Sequence, residues 1–372
     1  PAIISGSLGY LIVVVGMVAT GMIGCDLGLA SCTCCQAGFG KSGARFIVST
    51  IFAVNMIGWF GIQNGVCGEA FSNAMLAMTG WDIPVVVSNT IWGIIMLLTA
   101  VYGVHALEKL DKISIPLLMI IMCYGTFLAF KVYGTGNLND EGTVQSMSFM
   151  SGVALSFNFT AVGTITGPDY TRFQKSRKDT VKSVFYGVFP MGVITLIMGI
   201  VLTKLSGQYD ISMVLIEVGL PLLGIIALVI STWTTNSTNA YSAGLNIVMA
   251  LKLKDNRRRE ATLISGIVGI VLCDLGILGH VEGVLSLLSY VVCPVGGVIL
   301  ADYWVVGKGK AKNFRPQDGV NWAGVIAWAL GAIISYTLVK IEFVGIIIGF
   351  VIYLIAERFI PSASRDNAEN IA

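Results

Sequence analysis

The chain has 372 residues, of which 55% are hydrophobic and only 12% are charged. Soluble globular proteins carry about 25% charged residues, so this composition excludes an ordinary soluble enzyme, a nucleic-acid binder and a disordered protein. The 23 basic and 21 acidic residues give a net charge of only +2, and apolar blocks of about twenty residues indicate a membrane protein.

Eleven apolar windows, each near the roughly 20 residues that a helix needs to cross a bilayer, predict eleven transmembrane helices. Backbone polar groups in lipid must pair within their own segment, and a barrel would show short alternating strands instead. We therefore predict an all-α polytopic membrane protein. The windows cover residues 2–23, 46–68, 84–105, 113–133, 149–167, 184–203, 221–250, 262–279, 283–305, 320–338 and 343–360.

The basic residues predict how these helices are oriented. If the windows alternate in direction, 20 of the 23 Lys and Arg residues lie on one side, and only Lys131, Lys204 and Lys340 lie on the other. Cytoplasmic loops of membrane proteins are enriched in basic residues. We therefore expect a multi-pass protein of a cell membrane, bacterial or archaeal, with its N-terminus outside and its C-terminus in the cytoplasm.

A cysteine-rich segment follows the first window. Cys25, Cys32, Cys34 and Cys35 are four of the eight cysteines, and their C-x₆-C-x-C-C spacing matches no common zinc pattern. A metal site and a set of small buried apolar side chains both stay open as interpretations, and the second is the more usual one for free cysteines. No disulfide framework is predicted.

The second window carries polar and aromatic residues on one helical face. Asn55, Trp59 and Gln63 follow one another at intervals of four residues. Trp offers a flat π surface, and the Gln amide offers one donor group and one acceptor. Together they suit a small planar heterocycle, and the mid-window position of Trp59 argues against a belt Trp at the headgroup level.

The fifth window mixes polar residues with glycine and proline. Its stretch Ser156–Asp169 contains Gly163, Gly167 and Pro168 among several hydroxyl and amide side chains. Such a helix is easily interrupted, and broken helices near the middle of the membrane expose backbone groups that bind polar substrates. A simple kink at one end of the helix is the alternative.

The seventh window contains a stripe of hydroxyl groups. Its hydroxyl groups either hydrogen-bond between and within packed helices or serve as hard oxygen ligands for a small cation such as Na⁺. At 100° per residue, the residues that share this face are Ser231, Thr234, Thr235, Thr238 and Ser242, with Asn239 at its edge.

Four motifs together resemble the purine–cytosine permease family, which comprises nucleobase:cation symporters. They are GWFG (Gly58–Gly61), GTITGPDYTRF (Gly163–Phe173), WTTN with YSAGL (Trp233–Leu245) and CPVGGVILADYW (Cys293–Trp304). The resemblance runs from the first window to the last, and GWFG alone would be weak.

The resemblance implies a leucine-transporter-like fold of twelve helices, ten of which form two inverted repeats. The first window aligns with the second helix of the family, so we expect the first helix to be missing and this chain to transport poorly. The chain 1–372 would then be a single transporter domain. Residues 1–133 would be the rest of the first repeat, 149–305 the second repeat, and 320–360 two additional C-terminal helices.

The resemblance also implies a substrate site. Trp59 matches the stacking aromatic residue of the family, and Phe159 matches the opposite aromatic wall. Gln63, Asn158 and the unwound backbone near Gly163 would bond the polar edge of the ligand. The chain has Met56 where some members place a glutamine, and one extra residue between Gly163 and Asp169 allows a shift of one position.

The hydroxyl stripe is assigned by the same resemblance. Ser231, Thr234 and Thr235 match the sodium ligands of the family, and Asn236 and Asn239 are nearby candidates for substrate contact.

The resulting hypothesis is secondary active import of a nucleobase, cytosine or a purine, by symport with Na⁺ and alternating access. A proton could replace Na⁺ as the coupling ion, and no other cofactor is expected. The alternative ligands are hydantoin, allantoin, uracil and a thiamine-precursor pyrimidine. A channel or a membrane-embedded enzyme is less favoured, because the polar residues lie at one depth and no catalytic motif is present. We expect a monomer in a lipid bilayer, without a nucleic-acid partner.

Overall fold

The described part of the chain contains eleven long helices, α1–α11, one for each predicted window. The computed structural model describes residues 1–102, 104–136, 147–208 and 210–360, and of 104–108 and 111 the backbone alone. In chain order the helices are Ala2–Leu27, Lys41–Thr79, Val85–Tyr102, Val104–Tyr133, Phe149–Thr171, Arg177–Ser206, Pro221–Ala250, Arg258–Asp274, Ile277–Val306, Trp322–Val339 and Val344–Phe359.

Most of these helices could cross a membrane. Within the described residues, eight are long enough and apolar enough to do so. Of the other three, α8 and α11 have only 17 and 16 residues, and α7 carries the hydroxyl stripe. We call the face of the bundle at which α1 begins the start face, and the opposite face the end face.

Helix α5 is interrupted, as its composition predicts. Its two segments, Phe149–Thr160 and Gly163–Thr171, are separated by Ala161 and Val162. The break lies in the middle of the helix, whereas Pro168 lies within the second segment. A two-residue interruption therefore lies in the middle of the helix, and both of its residues keep right-handed helical dihedral angles.

Glycines allow α1 and α5 to run side by side in close contact. A Cβ atom on Gly9 would overlap the carbonyl oxygen of Val153, and one on Gly24 would overlap the backbone of Pro168. From the other side, a Cβ on Gly167 would lie 2.5 Å from the carbonyl oxygen of Met17. Small residues at such contacts let membrane helices pack by van der Waals attraction.

Replacing Gly9 with alanine is expected to destabilise the protein by about 2 kcal/mol, because two backbones would have to move apart. Gly199→Ala in α6 is the matched control, since a Cβ there meets nothing within 4 Å. That substitution should leave stability unchanged or slightly raised. Unfolding of both variants in detergent measures the difference, and equal stabilities would contradict the close packing of α1 on α5.

The cysteine-rich segment folds into two short helices, Ser31–Cys34 and Gln36–Phe39, next to the end of α1. All eight cysteines are free, and no group of three or more metal-ligating side chains is found in the part of the chain that the structure describes. Burial raises the pKa of Cys32 to about 11, so without a metal its thiol stays protonated. The buried Cys32, Cys34 and Cys35 fit the interpretation of small apolar side chains.

Candidate functional site

A cavity of about 680 Å³ lies between α1, α2, α5, α6 and α7. It begins at the break in α5, beside Gly163, and extends to Gln174 and Ser183 near the end face. Its size is that of an ordinary small-molecule site. Of the residues predicted to bind substrate or cation, those that line it are Trp59, Gln63, Phe159, Gly163, Thr235 and Asn239.

Two aromatic rings from distant parts of the chain form one wall of this cavity. The ring centroids of Trp59 and Phe159 are 5.9 Å apart and their planes are tilted by 53°. Phe159 is 48% exposed, so part of its ring is open to the cavity. A flat ligand stacked between two rings needs a separation of about 7 Å, or twice a carbon–carbon contact. The rings therefore touch each other here, and the predicted sandwich requires them to separate.

Two buried polar atoms beside the rings have no hydrogen-bond partner among the described residues. They are Nδ2 of Asn239, a donor, and Oγ1 of Thr160, which can donate or accept. Both residues line the cavity. Because nearly all buried polar groups in proteins are paired, such atoms require an explanation, and a polar ligand supplies one. The sequence analysis assigned no role to Thr160. Its position beside the predicted interruption of α5 could have marked it as a substrate contact.

Asn158 does not face the cavity, contrary to the expectation from the resemblance. It is 7% exposed, and its Nδ2 donates to Oε1 of Glu342 at 3.0 Å. Consecutive helical residues point about 100° apart, and here Phe159 and Thr160 line the cavity whereas Asn158 does not. Asn158 is therefore not a substrate contact in this structure.

Asn236 is also turned away from the cavity. Its side chain is fully buried, and its Nδ2 donates to the carbonyl oxygen of Phe60 at 3.1 Å. This bond ties α7 to α2, and the neighbouring Ser237 ties α7 to α3 by donating to the carbonyl oxygen of Met96. Such a bond holds packed membrane helices together, although Oδ1 of Asn236 has no partner among the described residues. Asn236 thus has a structural role, whereas Asn239 keeps its place at the cavity.

The hydroxyls predicted to hold a cation all donate within their own helix. Ser231 donates to Leu228, and Thr234 and Thr235 both donate to the carbonyl oxygen of Ser231, at 3.0 to 3.1 Å. A hydroxyl that donates one bond keeps lone pairs for a cation, so these oxygens fit hard-cation binding. Thr235 lines the cavity described above, whereas Ser231 lines a second one.

The second cavity, of about 960 Å³, lies on the start-face side of the site. Its lining includes Glu69, Asp210 and Asp274 near that face and Ser231 at its inner end. Gln63 lines both cavities. The two cavities therefore lie on either side of Gln63, and one turn of α7, from Ser231 to Thr235, passes from one to the other.

Comparison with known proteins gives a consistent result. A family model described as permease for cytosine/purines, uracil, thiamine, allantoin matches residues 2–357. The chain is 31% identical to the cytosine permease of Escherichia coli K12 over 335 residues, which covers 88% of this chain and 76% of that protein.

Two solved structures of one transporter, Mhp1, share the fold. Mhp1 in a closed conformation with bromovinylhydantoin bound has a TM-score of 0.77 at 18% identity, covering 96% of this chain and 85% of the other. Its inward-facing form has a TM-score of 0.79 at 20% identity, covering 96% and 83%. At this identity the likeness establishes the leucine-transporter-like fold.

Proposed function

The chain belongs to the family of permeases for cytosine/purines, uracil, thiamine and allantoin, and from this premise we propose that it imports cytosine or a purine together with Na⁺. Secondary transporters of this fold bind their substrate near the middle of the membrane, beside broken helices. The observation that carries the proposal is the meeting of Trp59, Phe159 and two unpaired polar atoms at the break in α5.

The site suits a flat base with a polar edge. The base would enter between Trp59 and Phe159 and displace their mutual contact. The Nδ2 donor of Asn239 suits a ring carbonyl or ring nitrogen, and the amide of Gln63 can donate to one edge atom and accept from another. Thr160 supplies a hydroxyl with the same versatility. Hydantoin, allantoin, uracil and a thiamine-precursor pyrimidine share this shape and remain the alternative ligands.

The two cavities support alternating access rather than a channel. A channel needs a continuous pore, whereas here the cavities lie on either side of Gln63 and the aromatic rings touch. We infer that the end face is cytoplasmic, because the basic loops lie there, so the cavity at Trp59 extends towards the cytoplasm. In this arrangement α1–α4 belong to the first repeat, α5–α9 form the second, and the C-terminus is cytoplasmic.

A binding screen on the purified protein tests this function. Cytosine, adenine, guanine, uracil, hydantoin and allantoin are compared in NaCl and in choline chloride of equal ionic strength. We expect one nucleobase to bind most tightly, and more tightly in Na⁺. Failure of all six to bind would overturn the proposal, and preference for hydantoin or allantoin would replace the substrate. Equal affinity in the two salts would remove Na⁺ as the coupling ion and leave H⁺.

Thr234→Ala combined with Thr235→Ala is expected to remove the sodium dependence. In the wild type, Na⁺ should improve base affinity by roughly fivefold or more, the usual size of coupling between two sites. In the double variant this ratio should fall to about one, because two of the three proposed oxygen ligands are lost. The ratio is measured by equilibrium binding of the radiolabelled base in both salts.

Thr195→Ala in α6 is the matched control for this experiment. Its hydroxyl also donates to a carbonyl one turn earlier in its own helix, at 3.0 Å from Met191. This variant should keep the wild-type sodium dependence. An unchanged ratio in the double variant would place the cation away from Thr234 and Thr235.

A further inference from the structure

The turn that joins α10 to α11 lies against the helix that carries Phe159. We call residues Lys340–Phe343 the hairpin turn. It belongs to the C-terminal pair of helices, which the sequence treated as an addition to the transporter core. Two of its consecutive residues, Glu342 and Phe343, contact two consecutive residues of α5, Phe157 and Asn158.

The contacts of this pair are specific. The rings of Phe157 and Phe343 meet edge to face with centroids 5.6 Å apart, and Phe157 is completely buried. Next to them, Oε1 of Glu342 accepts the Nδ2–H of Asn158 at 3.0 Å and the hydroxyl of Ser286 in α9 at 2.5 Å. One carboxylate oxygen thus joins three elements, namely the first segment of α5, helix α9 and the hairpin turn.

These hydrogen bonds lie in a buried position. Glu342 is only 7% exposed, and a buried carboxyl group that loses its hydrogen-bond partners is costly. Ionisable side chains within a bundle of membrane helices are rare and are functional candidates by default. The family resemblance assigned no role to this carboxylate.

The position of the bond along α5 gives it a consequence for the substrate site. Phe159 follows Asn158 directly, and the helix ends at Thr160. Ala161 and Val162 then interrupt the helix, although both keep right-handed helical dihedral angles. Contacts that hold the last turn of the first segment therefore help to set the direction of Phe159 and Thr160.

We propose that Glu342 is a positioning residue for substrate, acting through Asn158 to hold Phe159 and Thr160 at the cavity. The hairpin turn is then part of the substrate-binding apparatus, although no atom of it lines the cavity. This role rests on the proposed function, because Phe159 and Thr160 are substrate contacts only if a base binds beside them.

Exchanging the two partners tests the proposal. Asn158→Asp places two carboxyl groups about 3 Å apart in a buried position, where they can stay in contact only by sharing a proton. In alkaline buffer, where that proton is lost, base binding should weaken by roughly tenfold. In the double variant Asn158→Asp with Glu342→Gln, the amide introduced on the hairpin turn can donate to the carboxylate introduced on α5 and still accept from Ser286. Affinity should then return to within about threefold of the wild type, the size of one weak hydrogen bond.

A second measurement needs no ligand. Hydrogen–deuterium exchange of the peptide covering residues 157–165 should be faster in Asn158→Asp than in the wild type, and slow again in the double variant. Asp302→Asn is the matched control. Asp302 is a buried carboxylate of α9 that accepts the hydroxyl of Tyr353 in α11 at 2.7 Å, close to the end face. That variant should change neither base affinity nor exchange of this peptide.

The outcomes separate the two proposals. If the wild type binds no base, the proposed function fails, and the exchange measurement still decides whether Glu342 holds the last turn of α5. If the wild type binds a base but Asn158→Asp binds it equally well, the positioning role is overturned. A double variant no better than Asn158→Asp overturns it as well, because loss without rescue is what general damage to packing would give.

Discussion

Replacing Trp59 with alanine is expected to weaken nucleobase binding by roughly 10- to 100-fold, the usual cost of removing an aromatic side chain on which a base stacks. The protein should stay folded, because Trp59 lines a cavity and is only partly buried. Its ring contacts the half-exposed ring of Phe159. The dissociation constant of the preferred base, measured in Na⁺ by equilibrium binding, gives the effect directly.

Two further variants make this result specific. Trp59→Phe keeps an aromatic face and should retain most of the affinity. Trp322→Ala removes a tryptophan that is 60% exposed at the start of α10, and it should bind as the wild type does. Wild-type affinity in Trp59→Ala would refute the stacking role. Equal losses in the alanine and phenylalanine variants would show that the indole is needed for something other than its flat surface.

Much of the fold could be predicted from the sequence, because a bilayer imposes strong constraints. A segment in lipid must be long, apolar and internally hydrogen-bonded, so each apolar window became a helix. The break in α5 was also readable, since Gly163 and Pro168 lie among polar residues that lipid would not tolerate. The break itself occurs at Ala161 and Val162, however, before the glycine. Composition thus located the weak helix but not the residue at which it ends.

The site was harder to predict, because a helical wheel shows which residues share a face but not what that face meets. Asn236 and Asn239 are both amides on α7, yet the first bonds the carbonyl of Phe60 and the second has an unpaired donor at the cavity. Only the packing of α2 against α7 distinguishes them. Asn158 is a similar case, since its partner Glu342 lies 184 positions away in a turn that no motif marks.

The hydroxyl stripe on α7 is a further case in which a helical wheel does not show what each residue meets. Its members follow a regular helical spacing, and the wheel treats them as one set. In the structure Ser231 and Thr235 line different cavities, because one turn of α7 spans the depth of Gln63, which lies between the two cavities. For an alternating-access transporter this position is informative, since a cation bound there would be next to both the site and the closure between the two sides.

Replacing Asp26 with alanine is expected to destabilise the protein by about 3 kcal/mol, because it leaves Arg177 without its carboxylate. Arg177 binds Asp26 through two nitrogens, with Nε 2.9 Å from Oδ1 and Nη2 2.5 Å from Oδ2. The hydroxyl of Tyr303 donates to the same carboxylate, and the guanidinium lies over the ring of Trp304 at 4.9 Å. This cluster joins α1, α6 and α9 at the end face.

The exposure of the two partners decides how large this effect is. The side chain of Asp26 is only 16% exposed, whereas that of Arg177 is 42% exposed, so solvent screens part of the attraction. The loss of stability should therefore stay near the lower end of the range measured for buried ion pairs.

The ion pair of Lys41 with Asp318 is the matched control, because its side chains are 36% and 60% exposed. Asp318→Ala should cost less than about 1 kcal/mol. Asp26→Asn keeps an oxygen for Tyr303 and should fall between the two. Unfolding in detergent measures all three variants, and equal losses in Asp26→Ala and Asp318→Ala would show that the cluster at the end face is no stronger than a surface ion pair.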